Sequence, residues 1–396
     1  MTYDIRILSA DDVAAAYRLG VVAFGYPETP MPPSDYPRLG RTSWGAFDDD
    51  GRLVAKAIDR EQSHWFGGRL VPATGVAGVA VAAEHRGRGV STALMTRLMA
   101  GARDRGAVIG TLFDTLPWPY RRVGWEEIGA LRTVSMPTLA LAGFRTPTGF
   151  SLRAATESDV PELQALYREV ARAGTALMDR SAPIVDESPT ALLAEFTGTT
   201  VALAPDGSIA GYCRWDRAGG YRGDGTLTVE DLIATGPGAL TALLAMIGGW
   251  AAVAPTLRIT LPPQDPALLL GALTHATAAS RDPWMLRVID AVGAVAARGW
   301  SEHLVGTVDL SIDDPTCPWN SGRFRLTIDG GAGRLEPGGG GGAIEVGPRA
   351  LASLYAGAST PDTLRRAGLL TGGDPSTDAF LRIAFAGPAP ELRDYF

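Results

Sequence analysis

Leu94, Met95, Leu98, Met99 and Ala102 recur at intervals of three and four residues, the spacing that lines one face of an α-helix. The pattern predicts a helix over residues 91–105, stopped at Gly106, since glycine readily takes the left-handed conformation that ends helices. The apolar stripe reads as core. Apolar runs at 43–47, 53–59 and 76–82 predict strands before this helix, and 107–113 predicts one directly after it. The region therefore reads as strand, tight glycine turn, helix, strand.

A second regularity has a longer period. "YDIRILSADDVAAAYRLGVVAF" opens with a strand around Ile5 and Ile7, then Ser9 and Asp12 signal a helix start before the apolar run 13–24. "FSLRAATESDVPELQALYREV" repeats the pattern: Arg6, Ser9, Asp12 and Val13 match Arg153, Thr156, Asp159 and Val160, each 147 positions later. A repeat of that length suggests a duplicated domain. A third region begins near Ala291, with strands at 302–312 and 321–328 and a helix at 348–358, an α+β pattern. Its five glycines, 338–342, lack the Lys-Ser/Thr of a phosphate loop and read as a flexible hairpin loop.

Composition narrows the class. At 396 residues the chain is long enough for two or three domains, and 46% hydrophobic with 20% charged residues is globular. A net charge of −7 argues against nucleic acid as the main partner and is compatible with steering a cationic small molecule. Cys213 and Cys317 match no metal or redox spacing, so no metal is expected and a reducing cytoplasmic setting is the simplest reading. No apolar run approaches the ~18 residues of a membrane span, and "MTYDIRILSADD" is unlike a signal peptide.

The chemistry concentrates in "EHRGRGVSTALM", residues 84–95, at a strand-to-helix junction. The first amides of a helix lack intrahelical acceptors, the helix dipole is positive there, and glycine lets backbone approach an anion closely. Two readings fit: a basic surface turn, or a cradle for a phosphate-bearing cofactor. The spacing matches neither G-x-G-x-x-G nor a Walker A loop.

The order of residues here resembles motif A of the GNAT acyltransferases, filled by Arg86, Gly89 and Ser91, and "DTLPWPYRRVGWEEIG" resembles a second landmark of that family at Tyr120, Gly124 and Trp125. The whole chain is similar to the Eis (enhanced intracellular survival) acetyltransferases, "NSGRFRLTIDGG", "LASLYAGA" and "LRDYF" resembling that family's sterol-carrier-like end. The resemblance implies an α+β chain of two tandem GNAT-type domains, catalytic at 1–135 and degenerate at 136–288, with a sterol-carrier-like domain at 289–396. It implies acetyl-CoA as co-substrate. Val79, Ala80 and Val81 would contact the pantetheine arm, and Gly87, Arg88, Gly89, Val90, Ser91 and Thr92 the pyrophosphate. In the second copy "DLIATGPGALTALL" keeps a glycine turn but no arginines, so it reads as a structural partner. Gly87 stands where relatives often carry another arginine, and "DTLPWPY" is bulkier than theirs, a departure that narrows the pocket.

Amine acylation needs a proton for the leaving thiolate and a base for the amine. No Ser-His-Asp or Cys-His pattern surrounds His64, His85, His275 or His303, so direct attack in a ternary complex is expected. A tyrosine with an ordinary pKa near ~10 can donate a proton to a thiolate, and the resemblance gives Tyr120 that general-acid role; packing under the Gly124 turn is the alternative. The same resemblance assigns the base to the C-terminal carboxylate, here of Phe396. Phe24, Tyr26, Tyr36 and Trp44 are candidate walls of an amine pocket, and Glu391 and Asp394 candidate charges. The implied acceptor is a primary amine of a polyamine-like substrate, such as an aminoglycoside or a lysine side chain, and the implied assembly a homo-hexamer. The competing class is an acyl-CoA or lipid-binding carrier with a non-catalytic GNAT fold.

Overall fold

The structure is a computed structural model that describes residues 3–25, 36–181, 188–220, 223–271, 276–340 and 343–396. Twelve strands form one sheet: β1 (Asp4–Ile7), β2 (Arg41–Phe47), β3 (Leu53–Phe66), β4 (Arg69–Val81), β5 (Ile109–Phe113), β6 (Glu126–Pro137), β7 (Ser151–Ala154), β8 (Gly198–Leu203), β9 (Ile209–Ala218), β10 (Thr226–Ala234), β11 (Thr256–Thr260) and β12 (Thr277–Val288). Five more form the C-terminal sheet: β13 (Gly306–Ile312), β14 (Gly322–Asp329), β15 (Ala332–Pro337), β16 (Ile344–Val346) and β17 (Leu370–Gly372). The helices of the first half are α1 (Val13–Phe24), α2 (Val90–Asp104) and α3 (Pro117–Arg121). The second half carries α4 (Val160–Ala173), α5 (Pro189–Ala194), α6 (Pro237–Gly248) and α7 (Pro266–Leu269). The last region carries α8 (Ala291–Ala297), α9 (Pro348–Tyr355), α10 (Pro361–Arg366) and α11 (Pro375–Ala384).

The duplication is visible at atomic detail. Arg6 grips both oxygens of Asp12 at 2.7 and 3.1 Å, and Arg153 grips Asp159 at 2.7 and 2.8 Å. The Ser9 and Thr156 amides each donate to their aspartate at 2.7 Å, as a capping box requires. Both carboxyls are held far below the usual range, chiefly by the arginine hydrogen bond.

The two halves share strands. The sheet order is β1-β2-β3-β4-β5-β12-β6-β11-β10-β9-β8-β7, so β12 lies against β5 of the first half and β6 against β11 of the second. β6 and β12 pair with each other along most of their length. The 135/136 boundary expected from the sequence therefore falls inside β6, and the strand it would cut belongs to both halves.

Other expectations shift with burial. The strand expected at 53–59 continues to Phe66 and turns into β4, because the hairpin buries polar as well as apolar side chains. The glycines 338–342, of which 341 and 342 lie outside the described residues, do not join paired strands: β15 pairs with β14, whereas β16 pairs with β13 and β17. The amide of Gly340 donates to Asp309 at 2.6 Å.

The C-terminal domain docks on the shared strands. Phe66, Ile109, Trp284 and Leu286 of the large sheet form one apolar core with Leu310, Leu326, Leu351 and Tyr355. At the join, Arg287 of β12 and Asp314 are fully buried, and Arg287 reaches both carboxylate oxygens at 2.6 Å. Arg287 also donates to the Val123 and Val288 carbonyls, and Asp314 accepts from the Cys317 amide and Asn320. Each charge is thus fully hydrogen-bonded, the condition under which a buried pair persists.

His64 ties β3 to the second half. Its Nδ1 lies 2.7 Å from the Ala176 carbonyl, which makes it the donor and leaves Nε2 to accept from Gln62 Nε2 at 3.0 Å. Burial lowers the His64 pKa to about 4.

Two predictions follow from these contacts. Asp314→Leu strands a buried guanidinium and should lower stability by about 3–5 kcal/mol in thermal melts, while Arg287→Met combined with Asp314→Leu should recover much of that loss. A second full-size loss in the double variant would show that the two positions act independently. For His64, the folded protein resists protonation that the unfolded chain accepts below pH ~6.5. Stability should therefore fall as pH drops from about 6.5 to about 4 by up to roughly 3 kcal/mol, with a shallower fall in His64→Asn when apparent Tm is followed across that window.

Candidate active site

The site begins where β4 and β5 part. They pair in parallel only at Ala73–Ile109, Thr74–Gly110 and Gly75–Thr111, and β4 then runs on to Val81 without its neighbour. A bulge against β3 helps turn it away, with Gly78 at φ +57° opposite Ala57. Val79, Ala80 and Val81 therefore present a strand edge to an opening rather than to a partner. Ala80 is buried, and Val79 and Val81 are half-buried.

At the head of this edge stands the glycine turn. Gly87 and Gly89 sit at φ +72° and +81°, conformations that glycine takes without strain, and Gly89 caps α2. The first intrahelical bond runs from the Ala93 amide to the Gly89 carbonyl at 3.0 Å. The amides of Gly87, Gly89, Val90, Ser91 and Thr92 consequently have no acceptor among the described residues. Residues 86–89 are exposed, whereas the Val90 side chain is buried with Leu94, Met95 and Leu98 and fixes the helix to the sheet. Arg86 is folded back, its Nε donating to the Val81 carbonyl at 3.2 Å. His85 leans on Tyr3, 3.3 Å from its hydroxyl, and so braces the turn. A positive helix end with free amides beside a bare strand edge fits a molecule with a pyrophosphate and an amide-bearing arm.

Tyr120 lies on α3, half-buried against the core beneath α2. Its hydroxyl has no hydrogen-bond partner among the described residues. Burial, reinforced by the Asp114 carboxylate, raises its pKa to about 12. Asp114 is itself buried with Oδ1 unpartnered, and its pKa is also raised by burial. The helix is clamped from the C-terminal domain: Glu126 takes Arg121 at 2.6 Å on one oxygen and Arg349 of α9 at 2.6 Å on the other. Gly124, at φ +87°, sits so close to Arg287 that an added Cβ would lie 2.8 Å from Nε.

The chain's end arrives from the far side. The Glu391 amide donates to the Thr175 carbonyl at 2.8 Å, and Arg393 is buried against Asp265 at 2.9 Å. Beyond them Tyr395 stacks on Phe113 at 4.6 Å between ring centroids, and Phe396 meets the same ring edge-on at 5.4 Å. Phe113 ends β5 and precedes Asp114. The fold thus brings the tail aromatics and the neighbourhood of Tyr120 to one end of one strand.

The pocket candidates separate. Trp44 is core, not wall: 4% exposed, it packs on the α2 side among Leu94, Leu98 and Met99, filling the space left at Gly101. Tyr36 packs with Leu8 and Phe47, its hydroxyl donating to the Leu8 carbonyl. Phe24 is exposed at the end of α1, and Tyr26 lies outside the described residues. Asp394 is not a free charge, because Arg180 holds it at 3.0 Å. Glu391 is half-buried, its pKa raised by burial against the pull of Arg393.

Sequence reading missed Phe113, Asp114, Arg60 and Gln62. The run "DREQSH" carried a signal, being charged and polar on both faces of a strand that hairpin pairing buries.

The second half keeps the outline and loses the arginines and one amide of the turn. β10 also outruns its partner β11, after Val229–Ile259, with a bulge before Asp231. Asp231, however, is locked by Arg180 at 2.6 and 3.0 Å and by Arg214 at 2.8 Å. At the following turn Pro237 removes an amide, and Gly238 packs on the Phe150 ring.

Comparison with known proteins agrees with this architecture. Residues 4–128 and 177–288 each match a model described as acetyltransferase (GNAT) domain, and 291–393 match sterol carrier protein domain. The N-acetyltransferase Eis of Mycobacterium tuberculosis is 28% identical over 338 residues, covering 81% of this chain and 80% of that one. An uncharacterized N-acetyltransferase of Streptomyces avermitilis is 28% identical over 354 residues, 83% and 84% of the two chains. The crystal structure of a GCN5-related N-acetyltransferase from Kribbella flavida is 31% identical, with a TM-score of 0.83 over 100% of this chain and 99% of its own. Two GNAT halves sharing one sheet, a sterol-carrier-like domain docked on it and 31% identity over the full length place the chain in the GCN5-related N-acetyltransferase family, as an Eis-like acetyltransferase.

Proposed function

We propose that this acetyltransferase moves the acetyl group of acetyl-CoA to a primary amine, by direct attack in a ternary complex at the end of β5. The observation that carries the reading is the parting of β4 from β5 beside a turn of acceptor-free amides. The amides at 87–92 and the side chain of Arg88 would hold the pyrophosphate, and the edge at 79–81 the pantetheine arm.

Tyr120 serves as the acid. With its pKa near 12 it stays protonated at any working pH and can hand its proton to the sulfur as the carbon–sulfur bond breaks. The carboxylate of Phe396 takes the proton from the attacking nitrogen, a role supported by the seat of its ring on Phe113. No side chain forms a covalent intermediate in this scheme. The C-terminal domain acts as a brace, consistent with its grip on the Tyr120 helix through Arg349 and on β12 through Asp314. That grip favours an enzyme over a lipid carrier. The likeness to Eis extends the proposal to polyamine-like acceptors (aminoglycosides or lysine side chains), a homo-hexamer and a cytoplasmic setting. No helix among the described residues is long and apolar enough to cross a membrane.

The test follows free thiol release with an amine panel. Tyr120→Phe should lower kcat by about 10²–10⁴-fold while the acetyl-CoA KM stays within about threefold. A chain lengthened by one glycine after Phe396 should lose at least about tenfold in kcat, since the carboxylate moves by a residue. Wild-type kcat should show no loss from tyrosine ionisation between pH 8 and 10. Full activity in Tyr120→Phe would remove the acid assignment, and acetyl-CoA binding without transfer to any amine would remove the enzyme reading.

A further inference from the structure

The face of the sheet that carries the tail also carries two arginines with no anionic side-chain partner among the described residues. Arg41 of β2 and Arg60 of β3 are directly opposed across the ladder, so both side chains leave the same face. Arg60 is in register with Gly75, and Gly75 with Thr111, the last pair before β4 and β5 separate. The Arg60 guanidinium lies 5.4 Å from the centre of the Phe396 ring. Arg60 thus stands one strand from the apex of the opening, with Arg41 on the strand beyond it, on the side from which the tail approaches.

Neither guanidinium makes a hydrogen bond or an ion pair among the described residues, and the Nε of each is buried without an acceptor. An unmet buried donor is unfavourable, and two like charges side by side add repulsion. Burial and the neighbouring Arg41 lower the Arg60 pKa to about 10.

The surrounding side-chain carboxylates are engaged or point elsewhere, and the Phe396 carboxylate is the base of the scheme above. Asp394 is held by Arg180, Asp265 by Arg393, and Glu391 lies beside Arg393. Asp59 and Glu61 alternate with Arg60 along β3 and leave its opposite face, Asp59 being bound by Arg105 at 2.6 Å.

We propose that Arg41 and Arg60 bind a carboxylate of the acceptor, so that the amine acetylated belongs to a molecule bearing both groups, as a free amino acid does. This rests on the transferase reading above and sets aside those of its acceptors, aminoglycosides among them, that carry ammonium groups alone. A planar guanidinium is suited to a carboxylate, and two of them disfavour an acceptor carrying only ammonium groups. Free lysine fits that description; cadaverine, the same amine without the carboxylate, does not.

The experiment compares L-lysine with cadaverine as acceptors for the full-length protein, and for Arg60→Gln and Arg41→Gln. Calorimetric titration of both ligands into the CoA complex supplies a readout independent of turnover. The expected wild-type result is a kcat/KM at least about tenfold higher for lysine, and tighter lysine binding. In Arg60→Gln the ratio should collapse to within about threefold of unity, with apparent Tm and acetyl-CoA affinity checked to exclude misfolding. Wild-type preference for cadaverine would overturn the proposal. An unchanged ratio in Arg60→Gln would do so too, assigning that guanidinium to support of the Phe396 ring. If acetyl-CoA binds but neither amine is acetylated, the transferase reading fails, and the calorimetric ranking still decides the carboxylate site.

Discussion

The pairing of β6 with β12 is the constraint on which the molecule rests. Each strand completes the half from which it does not originate, so neither half closes its own sheet. β5 gains a neighbour on one side only because β12 returns from the far end of the second half. With that side secured by Trp284–Phe113 and the pairs that follow it, β5 can lose β4 on the other after three residues. An opening in a sheet exposes unpaired backbone groups, and it is stable here because both flanking strands are held elsewhere.

The same strand carries the domain join. Arg287 on β12 reaches Asp314 in the C-terminal domain and the Val123 carbonyl at the turn after α3. Glu126, bridged by Arg121 and Arg349, clamps the other side of that turn. Tyr120 is thus positioned by residues from three regions of the chain. The tail adds a fourth: it is anchored at Thr175, Asp265 and Arg180 in the second half before its aromatics reach Phe113 in the first. The second half, without the arginines of the first turn and filled by the Asp231 ion network, is the frame on which this tail is anchored.

Electrostatics divides the two faces of β3. Toward α2, Asp59 is satisfied by Arg105 and Thr74; toward the tail, Arg60 and Arg41 have no ion-pair partner among the described residues. A protein with a net charge of −7 thus holds a local positive pair on the strands beside the parting of β4 and β5. Overall charge steers from a distance, whereas the groups desolvated next to the substrate set which partner fits.

The sequence by itself determined what depends on neighbours along the chain. The α1 span, the α2 stripe with its glycine cap and the paired Arg6–Asp12 and Arg153–Asp159 motifs were legible because periodicity, capping and a six-residue reach are local. The glycine turn at 86–91 showed as a candidate anion cradle or basic surface turn for the same reason, whereas a role for 79–81 came only from the family resemblance. Tertiary structure decided what lies across strands. Trp44 has the composition of a pocket wall and proved to be core, because the side of β2 it occupies depends on register. Asp394 reads as a free charge until Arg180, 214 positions away, takes it up. The exchange of β6 and β12, the meeting of Phe396 with Phe113, and the isolation of Arg60 all arise from long-range pairing, for which adjacent residues carry no local signal.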